Sequence, residues 1–383
     1  MTERRLGIIM NGVTGRMGTT QHLVRSILAM RKEGGVLLKD GTRAMPDPIL
    51  VGRNAAKLKA LAEAHGVARY TTSLAKALAD PEDAVYFDAL STDLRKPNLE
   101  RAIAAGKHIY CEKPTAVTLT DALSLYRAAK KAGIRHGVVQ DKLFLPGLVK
   151  LRRLIESGFF GRILSLKGDF GYWIFEGDGV AAQRPSWNYR KRQGGGIILD
   201  MLCHWRYVLD GLFGPVKSVS CLGATLIPER VDEQGKTYRP DTDDHCFAHF
   251  QIEGGPIVQM ASSWVTRVRR DDLVTFQVDG THGSAVAGLH RCFIQPRNAT
   301  PKPVWNPDEP RTTDFFAQWQ EVPDNDPYPN GFRAQWERFI RHLAEDAPFP
   351  WDLLAGARGV QLAELAMQSW RERRWFDIPN LEA

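Results

Sequence analysis

The chain is 383 residues long, 43% hydrophobic and 25% charged, the make-up of a globular protein with room for one large domain or two ordinary ones. No run of 18 apolar residues occurs, which speaks against a membrane-spanning helix. The net charge of +7 raises nucleic acid as a partner, but the basic clusters "NYRKRQ" (188–193), "RVRRDD" (267–272) and "RERRW" (371–375) match no zinc-finger, RRM or KH pattern. Two aspartates end the second cluster, and the third falls in a helical stretch where charge marks a solvated face. The expectation is a mildly basic protein that handles anionic cofactors, with no nucleic-acid or membrane partner.

The opening "MTERRLGIIMNG" has the basic start of a signal peptide, but its apolar stretch is too short. It reads instead as the first strand of a cytoplasmic protein. Next comes a helical face of Leu23, Ile27, Leu28 and Met30 within Gly18 to Lys32. "PILVGRN" is the second strand, and "AAKLKALAEAHG" a helix stopping on Gly66. "AVYFDALST" and "NLERAIAAGK" repeat the pair. "HIYCE" and "LTDALSLYRAAKKAGI" do so again, with Thr120 as candidate cap. "RHGVVQD" closes a series that predicts a parallel sheet covered on both faces. Past about residue 145 the texture changes. A helix, "GLVKLRRLIESGFFG", precedes the alternating runs "RILSLKGDFGYW", "SVSCLGATLI", "HCFAHFQI", "PIVQMASSWVTRV" and "LVTFQVDG", neighbours in an antiparallel sheet. Residues 296–330, rich in proline, aspartate and asparagine, form a long loop or arm, and Phe332 to Trp375 returns to helix.

The first strand runs into "NGVTGRMGTTQH", with Gly12, Gly15 and Gly18 at three-residue spacing. Glycines there allow a tight turn and close backbone approach to a pyrophosphate at a helix N-terminus. An acidic residue at the end of the second strand would bind a ribose 2′-OH. This chain has Arg53 there, followed by Asn54. A guanidinium suits a 2′-phosphate, and Arg16 adds charge within the loop, so NADP(H) is favoured over NAD(H). Otherwise Arg53 is a solvated helix-start residue.

In "YCEKPTA" (110–116) the proline forces the chain to turn, which holds Lys113 out at a strand end. It is either a surface accident or a working amine. In "RQGGGIILDMLCHWRYVLDGLFG", Asp200 and His204 stand four apart and project from one helical face. Such a pair suits acid–base chemistry, but it also suits a surface ion pair, a metal site or a core histidine. The further ligands a metal would need are sought in "DDHCFAHF", but a strand sets His245 and His249 on one face and Cys246 on the other, so no metal is expected. The five cysteines are odd in number and far apart, with no CxxC pair, and read as free thiols in a reducing compartment.

Together the glycine loop, "AGKHIYCEKP" and "GGGIILDMLCH" resemble the glucose–fructose oxidoreductase, inositol dehydrogenase and rhizopine-catabolism (Gfo/Idh/MocA) family over nearly the whole chain. The resemblance implies an α/β fold: a Rossmann-type NAD(P)-binding domain over 1–145, and an α+β substrate and oligomerisation domain over 146–383 with an open, mostly antiparallel sheet. The C-terminal helix is expected to pack back toward the first domain, and the protein to be a homodimer or homotetramer. Departures are the GxxGxxG loop, which looks like that of dihydrodipicolinate reductases, and "STDLRKPN" where relatives often read T-P-N.

The implied activity is hydride transfer between nicotinamide and a hydroxyl or carbonyl carbon of a sugar or cyclic polyol. His204 matches the base, Lys113 the donor to the reacting oxygen, and Asp200 a group that orients His204 or binds an adjacent hydroxyl. The peptide after the lysine is often cis in relatives. Cofactor contacts fall to Gly12, Thr14, Gly15, Arg16, Met17, Gly18, Arg53, Asn54, Ser91, Thr92, Glu112 and Lys113. Substrate contacts fall to Gln140, Lys142, Trp173, Asp200 and His204. Tyr172, Trp187 and Tyr189 offer further aromatic faces, or pack in the core. The rival activities are a glycosidase that uses bound nicotinamide transiently and a non-catalytic nucleotide-binding sensor.

Overall fold

The computed structural model describes residues 3–173, 183–310 and 312–381. Its first sheet runs in the order Val36–Leu37, Arg43–Val51, Glu3–Asn11, Val85–Asp88, His108–Cys111, His136–Val138, with Arg69–Thr71 also paired to Arg43–Val51. All pairings are parallel except the short Val36–Leu37 hairpin arm. Helices cover both faces, so the strands read as unbroken apolar runs: Ile8, Ile9 and Met10 are all fully buried. The order reverses on either side of Glu3–Asn11, which opens a crevice at that strand's C-terminal end.

Boundaries differ from those predicted at several points; the helix expected from Asn98 starts already at Thr92 and contains Pro97. The second strand begins at Arg43, not Pro48, and runs through Pro46 and Pro48. Val36–Leu37 covers it only at Arg43 and Ala44, and Arg69–Thr71 only from Ile49. Both prolines therefore fall where that edge of the strand lacks a partner, the place where a missing N–H is tolerated. The helix Leu119–Lys131 is capped by Thr118, not Thr120. The Thr118 hydroxyl accepts from the Asp121 N–H at 3.2 Å and donates to the Asp121 carboxylate at 2.9 Å.

The second sheet has nine strands, in the order Gln320–Glu321, Cys292–Pro296, Gly283–Ala287, Val274–Gly280, Ile163–Gly171, Ile257–Ser263, His245–Ile252, Val216–Ala224, Phe376–Asp377. Only the contact of Ile163–Gly171 with Ile257–Ser263 is parallel. One face packs on the helices Ile197–Leu212 and Leu353–Glu372, burying Cys246, Ala248, Phe250 and Ile252. The other is open and leaves Leu222, Phe247 and Ile257 exposed. All five cysteines are buried and free. Between Ala299 and Gln320 the described chain has no regular element, and Trp305 is 91% exposed. Among the described residues no helix is long and apolar enough to cross a membrane.

The helix Gly331–Glu345 returns to the first sheet. Asn330 caps it, accepting from the Phe332 N–H at 3.0 Å. Trp336 is fully buried and donates its indole N–H to His22 Nδ1 at 3.0 Å. Its ring meets Tyr110 edge-on at 4.5 Å, while Phe339 stacks on Tyr110 at 4.7 Å. The C-terminal segment thus completes the core of the first sheet. Trp336→Ala should lower unfolding stability by about 3–5 kcal/mol, read as a fall in the urea midpoint. An unchanged midpoint would mean that this helix adds nothing to that core.

Candidate active site

The crevice is lined first by the glycine loop. A Cβ on Gly18 would stand 2.7 Å from the Gly12 carbonyl oxygen, and one on Gly12 would stand 2.7 Å from the Ala89 carbonyl carbon. Only glycine lets the loop press this closely on the strand ends. Thr14, Gly15 and Arg16 are exposed at its rim, and Met17 begins a helix of π winding, Met17–Leu28, whose N-terminus no side chain caps. That cradle fits a dinucleotide pyrophosphate. Arg53 and Asn54 lie exposed past the second strand, where Asn54 accepts from the Lys57 N–H at 2.9 Å as a helix cap. Ser91 opens the helix Thr92–Ala104. Thr92 is buried where Gly194, from the glycine run of the second domain, comes against it.

The loop carrying Lys113 is anchored from behind. The Lys113–Pro114 peptide is cis. Buried Arg95 donates to Asp88 Oδ1 at 3.1 Å, to the Leu90 carbonyl at 2.6 Å and to the Pro114 carbonyl. Glu112, expected at the cofactor, spends its carboxylate on protein groups. It accepts from His22 Nε2 at 2.8 Å and from the Lys113 N–H at 3.2 Å. Because Trp336 donates to His22 Nδ1, that ring carries its proton on Nε2. Burial works to raise the Glu112 carboxyl, but the His22 bond and the charges of Lys113 and Arg95 outweigh it and hold it below its ordinary value.

Lys113 reaches across to the second domain. Its ammonium pairs with the Asp200 carboxylate and donates to the Asp200 carbonyl at 3.1 Å. Burial works to raise Asp200, and Lys113, Arg184 and Lys142 together keep it below the usual carboxylate range. Asp200 and His204 share a helical face as predicted, yet Asp200 orients Lys113 and not His204. The ammonium is the stronger partner, and it leaves the imidazole to other groups. His204 Nδ1 lies 2.6 Å from the Tyr207 hydroxyl, which donates to Asp141 Oδ1 at 3.3 Å. Burial, reinforced by the charges of Lys113, Lys142 and Arg184, pushes His204 well below the ordinary imidazole range, so the ring is neutral at pH 7.

Of the substrate candidates, Gln140 is buried, with its N–H donated to Gln335 Oε1 at 2.6 Å. Lys142 Nζ lies 3.6 Å from Asp141 Oδ2. The Trp173 ring packs under Arg267, 4.1 Å from the guanidinium. Tyr189 is buried, with the Arg230 guanidinium 3.9 Å from its ring, so core packing accounts for it. Among the described residues no group of His, Cys, Asp and Glu is placed to hold a metal ion. Sequence patterns miss Arg95, His22, Asp141 and Tyr207. Tyr207 alone had a usable signal, since helical spacing sets it one turn from His204.

Residues 14–140 match the profile of an oxidoreductase family with an NAD-binding Rossmann fold, and residues 148–286 that of the GFO/IDH/MocA C-terminal domain. The chain is 58% identical over 378 residues to D-xylose dehydrogenase of Paenarthrobacter nicotinovorans, covering 98% of this chain and 97% of that one. It is 30% identical over 219 residues to levoglucosan dehydrogenase of Pseudarthrobacter phenanthrenivorans, covering 52% and 55%. A solved levoglucosan dehydrogenase in complex with NADH and levoglucosan superposes with a TM-score of 0.81 at 21% identity, over 98% of this chain and 100% of that one. With both domain profiles matched in order and one relative aligned along nearly its full length, this chain belongs to the Gfo/Idh/MocA family of NAD-binding oxidoreductases.

Proposed function

We propose that the protein oxidises an aldose of the D-xylose type, with NADP as the favoured hydride acceptor. The observation that carries this is the meeting of Lys113, Asp200 and a neutral His204 across the cleft, beside a loop shaped for a dinucleotide. The nicotinamide, when bound, supplies the hydride acceptor. His204 takes the proton of the hydroxyl being oxidised. Lys113 donates to the same oxygen and stabilises the negative charge that develops there. Asp200 fixes the ammonium and turns its remaining acceptor capacity to an adjacent hydroxyl. Lys142 is the best supported of the other substrate residues, because its charge acts on both Asp200 and His204. Trp173, whose ring packs under Arg267, would offer an aromatic face to the sugar at the rim of the site. The substrate's name comes from the relative at 58% identity. The preference for NADP rests on exposed Arg53, which has no acidic residue beside it. The exposed Leu222, Phe247 and Ile257 on the open face of the second sheet support a homodimer or homotetramer, and five free thiols support a cytoplasmic protein.

The test is accumulation of reduced nicotinamide from D-xylose, with NADP⁺ and NAD⁺ in separate reactions. Stoichiometric NADPH is the expected result. Lys113→Met should lower kcat about 100-fold or more while nucleotide still binds. Arg53→Ala should raise the KM for NADP⁺ about tenfold and leave that for NAD⁺ alone. A flat trace across aldoses and inositols would sink the dehydrogenase reading, and glycoside cleavage would be assayed next.

The pH profile is a separate check. A base is lost when it protonates, so activity falls as pH drops through its pKa, and His204 sits well below the ordinary 6.5. kcat/KM should therefore stay level from pH 8 through 6.5 and decline only in more acid solution. A decline centred near pH 6.5 or above would mean that the base is a different group or that His204 is not buried in solution.

A further inference from the structure

The hydroxyl of Tyr207 sits between an imidazole nitrogen and a carboxylate oxygen and has one proton to give. His204 Nδ1 lies 2.6 Å away on one side and Asp141 Oδ1 3.3 Å on the other. All three side chains are buried, with residue exposures of 6% for His204, 6% for Tyr207 and 5% for Asp141. The Lys142 N–H, at 3.4 Å, donates to the same phenol oxygen. The Asp141 carboxylate, with the Lys142 ammonium 3.6 Å from its other oxygen, serves as an acceptor. If Tyr207 gave its proton to His204, the buried Asp141 oxygen would face a phenol lone pair with no hydrogen between them. If Tyr207 gives its proton to Asp141, His204 must supply the proton of the shorter contact from its own Nδ1. Only the second arrangement satisfies both contacts.

We infer that Tyr207 and Asp141 are positioning residues that hold neutral His204 as its Nδ1–H tautomer and leave the Nε2 lone pair for substrate. Hydrogen bonding at one imidazole nitrogen determines the work of the other. A ring locked this way can take a hydroxyl proton on Nε2 without first exchanging its own. In the opposite tautomer Nε2 already carries hydrogen and can only donate. The consequence for turnover rests on His204 being the base of the proposed reaction, but the tautomer itself is a property of the resting protein.

The experiment is a two-bond ¹H–¹⁵N correlation spectrum of the full protein labelled with ¹⁵N-histidine, without substrate, His204 being assigned by the signal lost in His204→Gln. The expected spectrum has a protonated Nδ1 and a bare Nε2. In Tyr207→Phe, an almost isosteric change, the signal should move toward protonated Nε2. kcat should then fall about 10-fold to 100-fold with the KM for the nucleotide unchanged. A resting His204 with hydrogen on Nε2 overturns the inference, whatever the enzyme's substrate. So does a Tyr207→Phe protein that keeps the Nδ1–H signal, or one that loses it with kcat unchanged. If the aromatic variant does not fold, the wild-type spectrum decides the tautomer, and Asp141→Asn tests the far end of the relay by the same shift. Failure of the sugar assay with the expected spectrum would count against the activity, not against the tautomer.

Discussion

The ion pair between Lys113 and Asp200 is the point on which the two halves of the molecule close. Lys113 leaves the C-terminal end of a parallel strand, while Asp200 stands on the first turn of a helix lying on the other sheet. Both charges are only partly exposed, at 15% for the Lys113 side chain and 29% for that of Asp200, and each offsets part of the cost of burying the other. The pair also settles which groups remain for chemistry. With Asp200 committed to the ammonium, His204 is left neutral in a setting too dry and too cationic to protonate it. A carboxylate bonded to the ring would have raised its basicity and blurred the division between a charged donor and a neutral base.

An ion pair between two sheets is useful only if the sheets cannot drift, and the helix Leu353–Glu372 holds them. Its Gly356 lies so close to Thr115 that an added Cβ would stand 2.4 Å from that side chain, and one on Gly359 would stand 3.2 Å from the Cys203 Cα. Thr115 follows Lys113–Pro114, and Cys203 precedes His204. One helix therefore braces the backbone beside both motifs. Arg95 holds the lysine loop by the Pro114 carbonyl and ties it to the next strand end through the Leu90 carbonyl. Side chains fixed by packing and a second layer of hydrogen bonds hold the geometry that proton and hydride transfer require.

Much of this was legible in one dimension because it rests on local chemistry. The crevice follows from a strand, a glycine turn and a helix read in sequence. Asp200 and His204 share a face by helical spacing. Lys113 is thrown out by the proline after it. What escaped was set by distance in the fold. No local pattern shows that Trp336 would hand a proton to His22, or that His22 would then hold Glu112, because those groups come from separate parts of the chain. No pattern marks Arg95, which precedes the predicted helix, and the buried Asp88 that partners it is known only from the fold. The start of the second strand was hidden for a different reason. Prolines argue against a strand unless its unpaired edge is known, and that edge is a property of the sheet.

The charge pattern of the cleft argues that the region is built for work more than for stability. Partial burial and the like charge of Arg184 both weigh against the Arg16 cation. Lys113, Lys142 and Arg184 all bear on His204. Two carboxylates, Asp200 and Asp141, stand opposite them. Crowding like charges into a partly dry crevice destabilises the fold, and a purely structural seam would contain apolar side chains of similar volume. The buried network around Asp88 and Arg95, by contrast, sets one anion against one cation. That contrast between a balanced interior and an over-cationic cleft is expected where the cleft receives a polyanion, since the negative charge missing from the protein arrives with the ligand.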